Sequence, residues 1–144
     1  MPTIQKEQSI PYFAGDMYRL VADIAAYPDF VPYCSGTIIH EASDAEVTAS
    51  VSLRFYGVQQ TFTTKNTMQP DSAITMALMG GPITQLQGQW QFTPLGERAS
   101  TITLSVDYVI EHPMYGAMFD AAVGKVSAEI LRAFVQRAEV LYGK

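Results

Sequence analysis

The chain has 144 residues and a mass of 15.8 kDa, which is the size of one compact domain. Its composition, 48% hydrophobic and 16% charged, excludes a disordered chain. The net charge of −5 disfavours nucleic acids, DNA included, as partners, because a groove that follows phosphates needs a surplus of basic residues.

The cellular location is indicated by the cysteine content and by the N-terminus. Cys34 is the only cysteine, which excludes an internal disulfide and a multi-cysteine metal site and fits a reducing compartment. The first residues lack the basic region and apolar run of a signal peptide. No stretch approaches the roughly 18 apolar residues of a membrane span. We therefore expect a soluble cytoplasmic domain.

The N-terminal quarter predicts one strand followed by short helices. Residues Thr3 to Ile10 form the predicted strand. Apolar residues at helical spacing predict an amphipathic helix over 14–25, with Phe13 at the position where Ser or Asp normally caps a helix. Two prolines, Pro28 and Pro32, then limit the chain to one short helical turn.

From Cys34 to Ile110 the period of the apolar residues falls to two, which is typical of strands. Turn signals divide this stretch at Tyr56-Gly57, Pro70-Asp71-Ser72 and Pro94-Leu95-Gly96-Glu97. Six consecutive strands, each with one polar face and joined by short turns, predict an antiparallel meander.

A long helix of about 30 residues, or roughly 45 Å, is predicted to begin at Pro113. Its predicted apolar stripe comprises Phe119, Val123, Val126, Ile130, Phe134, Ala138 and Leu141. Its predicted polar face comprises Lys125, Glu129, Arg132, Gln136 and Glu139. A curved sheet wrapped round one long helix buries both apolar faces. We therefore predict a single α+β domain over residues 1–144.

The chain offers few candidates for catalysis. His40, in the middle of a strand, is interpreted as structural or exposed, and His112, at a strand-to-helix junction, as capping or solvated. Cys34 needs a neighbouring histidine to act as a nucleophile, so a buried inert thiol is the better interpretation. The polar residues with a prospect of pointing inward, Tyr108, His40 and Asn66, form no recognisable acid–base set.

The apolar excess indicates a binding cavity instead. Eight Tyr, seven Phe and seven Met are residue types that line adaptable apolar sites. Gly88, on the apolar face between Leu86 and Trp90, leaves room where a side chain would normally sit. Simple packing of the core is an equal alternative for each wall residue. The predicted walls are Phe30, Val31, Tyr33, Phe55, Phe62, Met76, Leu78, Leu86, Gly88, Trp90, Leu104, Tyr108, Met118, Phe119 and Val126.

Two segments of the chain match a family pattern. One reads Tyr27-Pro28-x-Phe30-x-Pro32-Tyr33-Cys34-Ser35-Gly36, and the other Gly80-Gly81-Pro82-Ile83-x-x-Leu86-x-Gly88-x-Trp90-x-Phe92-x-Pro94-Leu95. They resemble the YPxFxPWCxG and GPFxxLxGxWxFxPL segments of the coenzyme Q-binding START-like proteins, which include the bacterial RatA-type proteins. The strand from Thr61 to Asn66 is similar too, and Tyr33 and Ile83 replace the usual Trp and Phe. The likeness covers essentially the whole chain, in order and spacing.

The resemblance implies a helix-grip fold, in agreement with the predicted meander and long helix. It also implies a non-enzymatic protein that binds ubiquinone or a similar isoprenoid between the sheet and the C-terminal helix. Such a protein supports respiratory electron transport as a carrier or chaperone and has no catalytic cofactor. The Tyr27–Tyr33 loop would act as its lid. Transient contact with the inner face of a membrane stays open.

Two alternatives accompany this hypothesis. The resemblance also implies a RatA-type toxin that binds the large ribosomal subunit, blocks subunit association and inhibits translation. Such a regulator needs a surface patch, for which the candidates are Lys65, Arg98, Lys125, Arg132 and Arg137. An enzyme of the polyketide cyclase kind shares the scaffold, but its site needs polar groups that polarise a carbonyl, and no such set is recognisable here.

Overall fold

Seven strands and three α-helices are formed by the residues that the computed structural model describes, 3–55, 58–80, 85–109 and 116–143. Side chains are described in these ranges except at positions 55, 58, 109 and 116–123. The strands are β1 (Thr3–Ile10), β2 (Cys34–Ala42), β3 (Glu46–Phe55), β4 (Val58–Gln69), β5 (Ala73–Gly80), β6 (Gln85–Gly96) and β7 (Ala99–Val109). The helices are α1 (Ala14–Ala22), the single turn α2 (Tyr27–Phe30) and α3 (Gly116–Tyr142), with a 3₁₀ turn at Ile24–Ala26.

The strands form one antiparallel sheet in the order β1-β7-β6-β5-β4-β3-β2. Each strand from β2 to β7 pairs with the next along the chain, so the predicted six-strand meander is confirmed. The remaining strand, β1, lies at one edge of the sheet and pairs with β7. The turn at Tyr56-Gly57 and the predicted helix start at Pro113 lie outside the described residues. No helix within the described ranges is long and apolar enough to cross a membrane.

The first helix is shorter than the predicted 14–25 and ends at Ala22. Side chains from elsewhere satisfy carbonyl groups at its end and in the 3₁₀ turn that follows. The Tyr27 hydroxyl donates to the Val21 carbonyl, and the Thr37 hydroxyl donates to the Ile24 carbonyl at 3.2 Å. A helix can stop where such bonds replace the next N–H of the ladder. At the other end, Phe13 makes no side-chain capping bond, as its residue type predicts.

Alternation along the strands gives the sheet an apolar face and a polar face, and the apolar face packs against α3. Trp90 on β6 lies 5.2 Å from Phe134 on α3, ring centre to ring centre. The opposite face carries Ser, Thr and Gln side chains that bond across strands, as Ser52 does with Thr61 at 2.9 Å. A curved antiparallel sheet with a long C-terminal helix on its apolar face confirms the predicted helix-grip fold.

The buried stripe of α3 agrees with the predicted one at Phe134 and Ala138, but in the preceding turns it lies one position later than predicted. Among its described side chains the buried ones are Ser127, Leu131, Phe134 and Ala138, which recur at intervals of four and three. Leu141, predicted on the apolar stripe, is 45% exposed. Glu129, predicted on the polar face, is half-buried, and its carboxylate accepts a hydrogen bond from Tyr33. The predictions for Phe119 and Val123 concern side chains outside the described set.

Candidate ligand-binding site

The apolar face of the sheet, called here the concave face, is sealed at the end nearest α1. Met68, Ile74, Trp90 and Leu104 form one row across β4 to β7 by direct pairing. Each of these four residues is at most 9% exposed. Met17, Leu20 and Val21 of α1 belong to the same core cluster. This end of the concave face is therefore packed protein interior.

Burial decreases along β4, β5 and β6 away from α1, whereas β7 stays buried as far as Tyr108. On β4 it falls from Met68, which is buried, to Phe62, which is half-buried, and on β5 it falls from Ile74 to Leu78. The half-buried residues at this end, called here the open end, are Phe62, Thr64, Met76, Leu78 and Leu86. Four of the five are large and apolar. Large apolar side chains that remain partly accessible on a concave surface are typical of a ligand site.

Gly88 lies between the sealed row and the open end. It was predicted to leave room on the apolar face, but a neighbour occupies that room. The Met76 side chain, directly across on β5, places its terminal methyl 2.6 Å from the point where a Gly88 Cβ would stand. Because methionine has three rotatable side-chain bonds, this methyl is a movable filling rather than a fixed wall.

The segment from Tyr27 to Tyr33, the predicted lid, packs against α3 through aromatic contacts. Phe134 lies at the centre of this cluster, with the rings of Tyr27 and Phe30 at 5.4 Å and 5.2 Å. The Arg137 guanidinium stands 5.2 Å above the Phe30 ring, an arrangement that attracts a cation to an aromatic face. The segment therefore closes against one turn of α3.

Two tyrosine hydroxyls bond this segment to its neighbours, one to α3 and one to α1. Tyr33, which adopts a left-handed backbone conformation with φ 69°, donates to the Glu129 carboxylate. Tyr27 donates to the Val21 carbonyl, and burial raises the pKa of its phenol well above the ordinary value of 10.0. Tyr27 therefore stays a neutral hydrogen-bond donor at physiological pH.

The predicted wall residues separate into four groups. Val31, Gly88, Trp90, Leu104 and Tyr108 are buried. The open end contains Phe62, Met76, Leu78 and Leu86. Three more are half-buried: Phe30 on α2, Tyr33 just after α2, and Val126 on α3. The predictions for Phe55, Met118 and Phe119 concern side chains outside the described set.

The candidates for acid–base chemistry lie apart from the concave face or are inert. His40 is exposed, and its Nε2 lies 2.8 Å from the Ser50 hydroxyl on the polar face of the sheet. Cys34 is half-buried, and burial raises the pKa of its thiol, which favours the unreactive protonated form. His112 lies outside the described residues. Within the described residues, no cluster of histidine, cysteine and acidic side chains could hold a metal ion.

The predicted wall set omitted two polar residues of the concave face, Thr64 and Asn66. Both are in phase with Phe62 and Met68 along β4, and the period of two in the sequence was signal enough to place them there. Asn66 is 5% exposed, and Thr64 donates to its Oδ1 at 2.8 Å. Glu129 was also missed, and no sequence signal pointed to its contact with Tyr33.

Comparisons with known proteins agree with this architecture. The family model for polyketide cyclases, dehydrases and lipid transport proteins matches residues 10–135. A relative from Vibrio cholerae, named ribosome association toxin RatA, is 35% identical over 144 residues and covers all of both chains. The mitochondrial coenzyme Q-binding protein coq10 of Schizosaccharomyces pombe is 23% identical over 136 residues, which are 91% of this chain and 83% of the relative.

A solved structure shows the fold alone. The Zhui aromatase/cyclase from a Streptomyces species superposes with a TM-score of 0.89 at 19% identity, covering 96% of this chain and 93% of that one. Because the identity is low, this likeness carries no statement about substrate or reaction. The family match, the RatA-type relatives and the helix-grip fold agree with the resemblance found in the sequence. The chain therefore belongs to the polyketide cyclase/dehydrase and lipid transport family, in the START-like branch that holds the RatA-type and coenzyme Q-binding proteins.

Proposed function

We propose that the protein binds a hydrophobic ligand of the isoprenoid quinone class, most simply ubiquinone, on the concave face against α3. The observation that carries the proposal is the decrease in burial from the sealed row to the open end. Phe62, Leu78 and Leu86 remain half-buried on a face whose other end is packed protein interior. An isoprenoid tail would cover these side chains, and each buried methylene contributes about 0.8 kcal/mol.

A binding role rather than a catalytic one is supported by the chemistry of the concave face. Its described polar groups near the open end are the Thr64 hydroxyl, the Asn66 amide and the Tyr108 phenol. A hydroxyl, an amide and a phenol are not the groups that general acid–base catalysis at neutral pH favours, which are histidine and carboxyl groups. The protein would then serve respiratory electron transport as a carrier or chaperone of its ligand, without a catalytic cofactor.

Native mass spectrometry of the protein purified from a quinone-producing bacterium tests this proposal. We expect a mass increase that matches one isoprenoid quinone per chain, with the same quinone recovered by solvent extraction. Protein from a host without quinone synthesis is the control, and it should take up added ubiquinone to the same stoichiometry. A protein that is empty from the first host and takes up no added quinone would contradict the proposal.

A second candidate function is association with the ribosome. The specific observation in its favour is the full-length 35% identity to a relative named ribosome association toxin RatA. Of the predicted basic candidates, Lys65 pairs with Glu46 at 3.1 Å and Arg137 lies over Phe30. Arg98 is exposed in the turn between β6 and β7. Lys125 and Arg132 are exposed on α3, and their separation of seven residues places them together on one side of the helix. These two side chains are the better contacts for ribosomal RNA phosphates.

Sucrose-gradient sedimentation of ribosomes with added protein tests the second candidate. If it is correct, the protein raises the proportion of free subunits, and the double variant Lys125→Glu/Arg132→Glu loses this effect because it repels phosphate. Lys65→Glu is the matched control, since Lys65 lies on the polar face of the sheet and is already paired. An unchanged ratio of subunits to whole ribosomes with the native protein would reject this function.

A further inference from the structure

Asn66 is a buried polar residue in an apolar part of the concave face. It is 5% exposed, and in the register of the sheet it stands opposite Val47 on β3 and Met76 on β5. Along its own strand it stands between Met68, in the sealed row, and Thr64, at the open end. Asn66 therefore lies at the floor of the proposed ligand site, where the packed interior ends.

The hydrogen bonding of Asn66 is incomplete. A side-chain amide has one acceptor oxygen and an NH₂ group with two donors. Thr64 donates to the oxygen at 2.8 Å, and no described residue accepts a hydrogen bond from the NH₂ group. Exchanging the two amide atoms would still leave one of them without a described partner. Ser100, another buried polar residue, differs in that its hydroxyl donates to the Tyr12 carbonyl at 2.9 Å.

The NH₂ group of Asn66 also reaches accessible space. Among the described residues, no side-chain nitrogen or oxygen that is sealed from solvent lacks a hydrogen-bond partner. Since the NH₂ group has no described partner, it is not sealed. Its neighbour Met76 carries the movable methyl that fills the space beside Gly88. Rotation of that methyl would widen the space next to the amide.

We infer that the Asn66 amide donates a hydrogen bond to a carbonyl oxygen of the bound ligand, and so selects carbonyl-bearing ligands over hydrocarbons of the same length. The inference rests on the proposed function and assigns the ligand headgroup to the floor of the site. A quinone carbonyl offers only acceptor lone pairs, which match an NH₂ group that offers only donors. A bound ligand would seal this NH₂ group from solvent, and a sealed donor without a partner is unfavourable, so a ligand with a carbonyl in reach is preferred.

The experiment compares two probes with the same alkyl chain, decylubiquinone and decylbenzene, of which only the first has carbonyl groups. Affinities are measured by displacement of the fluorophore N-phenyl-1-naphthylamine from the native protein and from Asn66→Leu, which removes the amide at similar volume. We expect the substitution to weaken decylubiquinone binding about tenfold and to leave decylbenzene binding unchanged. Thr67→Val is the matched control, because Thr67 is exposed on the opposite face of the same strand.

A second measurement needs no variant. Asn66 is the only asparagine in the chain, so selective ¹⁵N-asparagine labelling gives a single side-chain NH₂ pair in an NMR spectrum. We expect decylubiquinone to shift this pair downfield and decylbenzene to leave the proton shifts near their free values. Equal decylubiquinone affinity in Asn66→Leu, or no downfield shift on binding, overturns the inference but leaves the proposed function standing. A native protein that binds neither probe overturns the proposed function, and the inference with it.

Discussion

Replacing Phe134 by alanine is expected to lower the free energy of unfolding by about 4 kcal/mol, near the upper end of the range for single substitutions. The Phe134 ring is 1% exposed and contacts Tyr27, Phe30 and Trp90 at ring separations of 5.4, 5.2 and 5.2 Å. It therefore joins α2, the sheet and α3 at one point. Alanine would leave a cavity that three large rings on different elements cannot jointly fill.

Urea denaturation followed by circular dichroism measures this loss. Val140→Ala is the matched control, because Val140 lies on the same helix and is 73% exposed. We expect the control to change the free energy of unfolding by no more than about 0.5 kcal/mol. A loss below about 1.5 kcal/mol for Phe134→Ala would contradict the central position given to this ring.

Replacing Gly88 by leucine is expected to weaken binding of an isoprenoid quinone by roughly two hundredfold, because the new side chain displaces about four buried methylenes of ligand. The new Cβ would stand 2.6 Å from the Met76 methyl, which must turn away toward the open end. Two side chains would then compete with the ligand for the same space. The leucine backbone remains acceptable because Gly88 needs no left-handed conformation.

Fluorophore displacement by decylubiquinone measures the change in affinity, and thermal unfolding checks that the variant folds. We expect overpacking to destabilise it by about 1–3 kcal/mol. Gly36→Leu is the control, since a Cβ at this strand glycine meets nothing within 4 Å. A folded Gly88→Leu protein with unchanged affinity would place the ligand elsewhere.

The order and type of the elements followed from the sequence alone. The period of two from Cys34 to Ile110 and the helical spacing towards the C-terminus are local properties, because each strand or helix must present one apolar face. The meander followed because short turns leave consecutive strands no other neighbours. The family segments around Phe30 and Gly88 agreed with this fold and indicated two functions.

The tertiary structure alone decided which faces are filled and which remain open. The face that α3 buries depends on all the elements that it contacts, so Leu131 is buried although it lies outside the predicted stripe, and Leu141 is exposed although it lies within it. The space beside Gly88 depends on the rotamer of Met76 one strand away. The free donors of Asn66 depend on what surrounds it in three dimensions. Such contacts join residues far apart in the chain, and periodicity within one element carries no information about them.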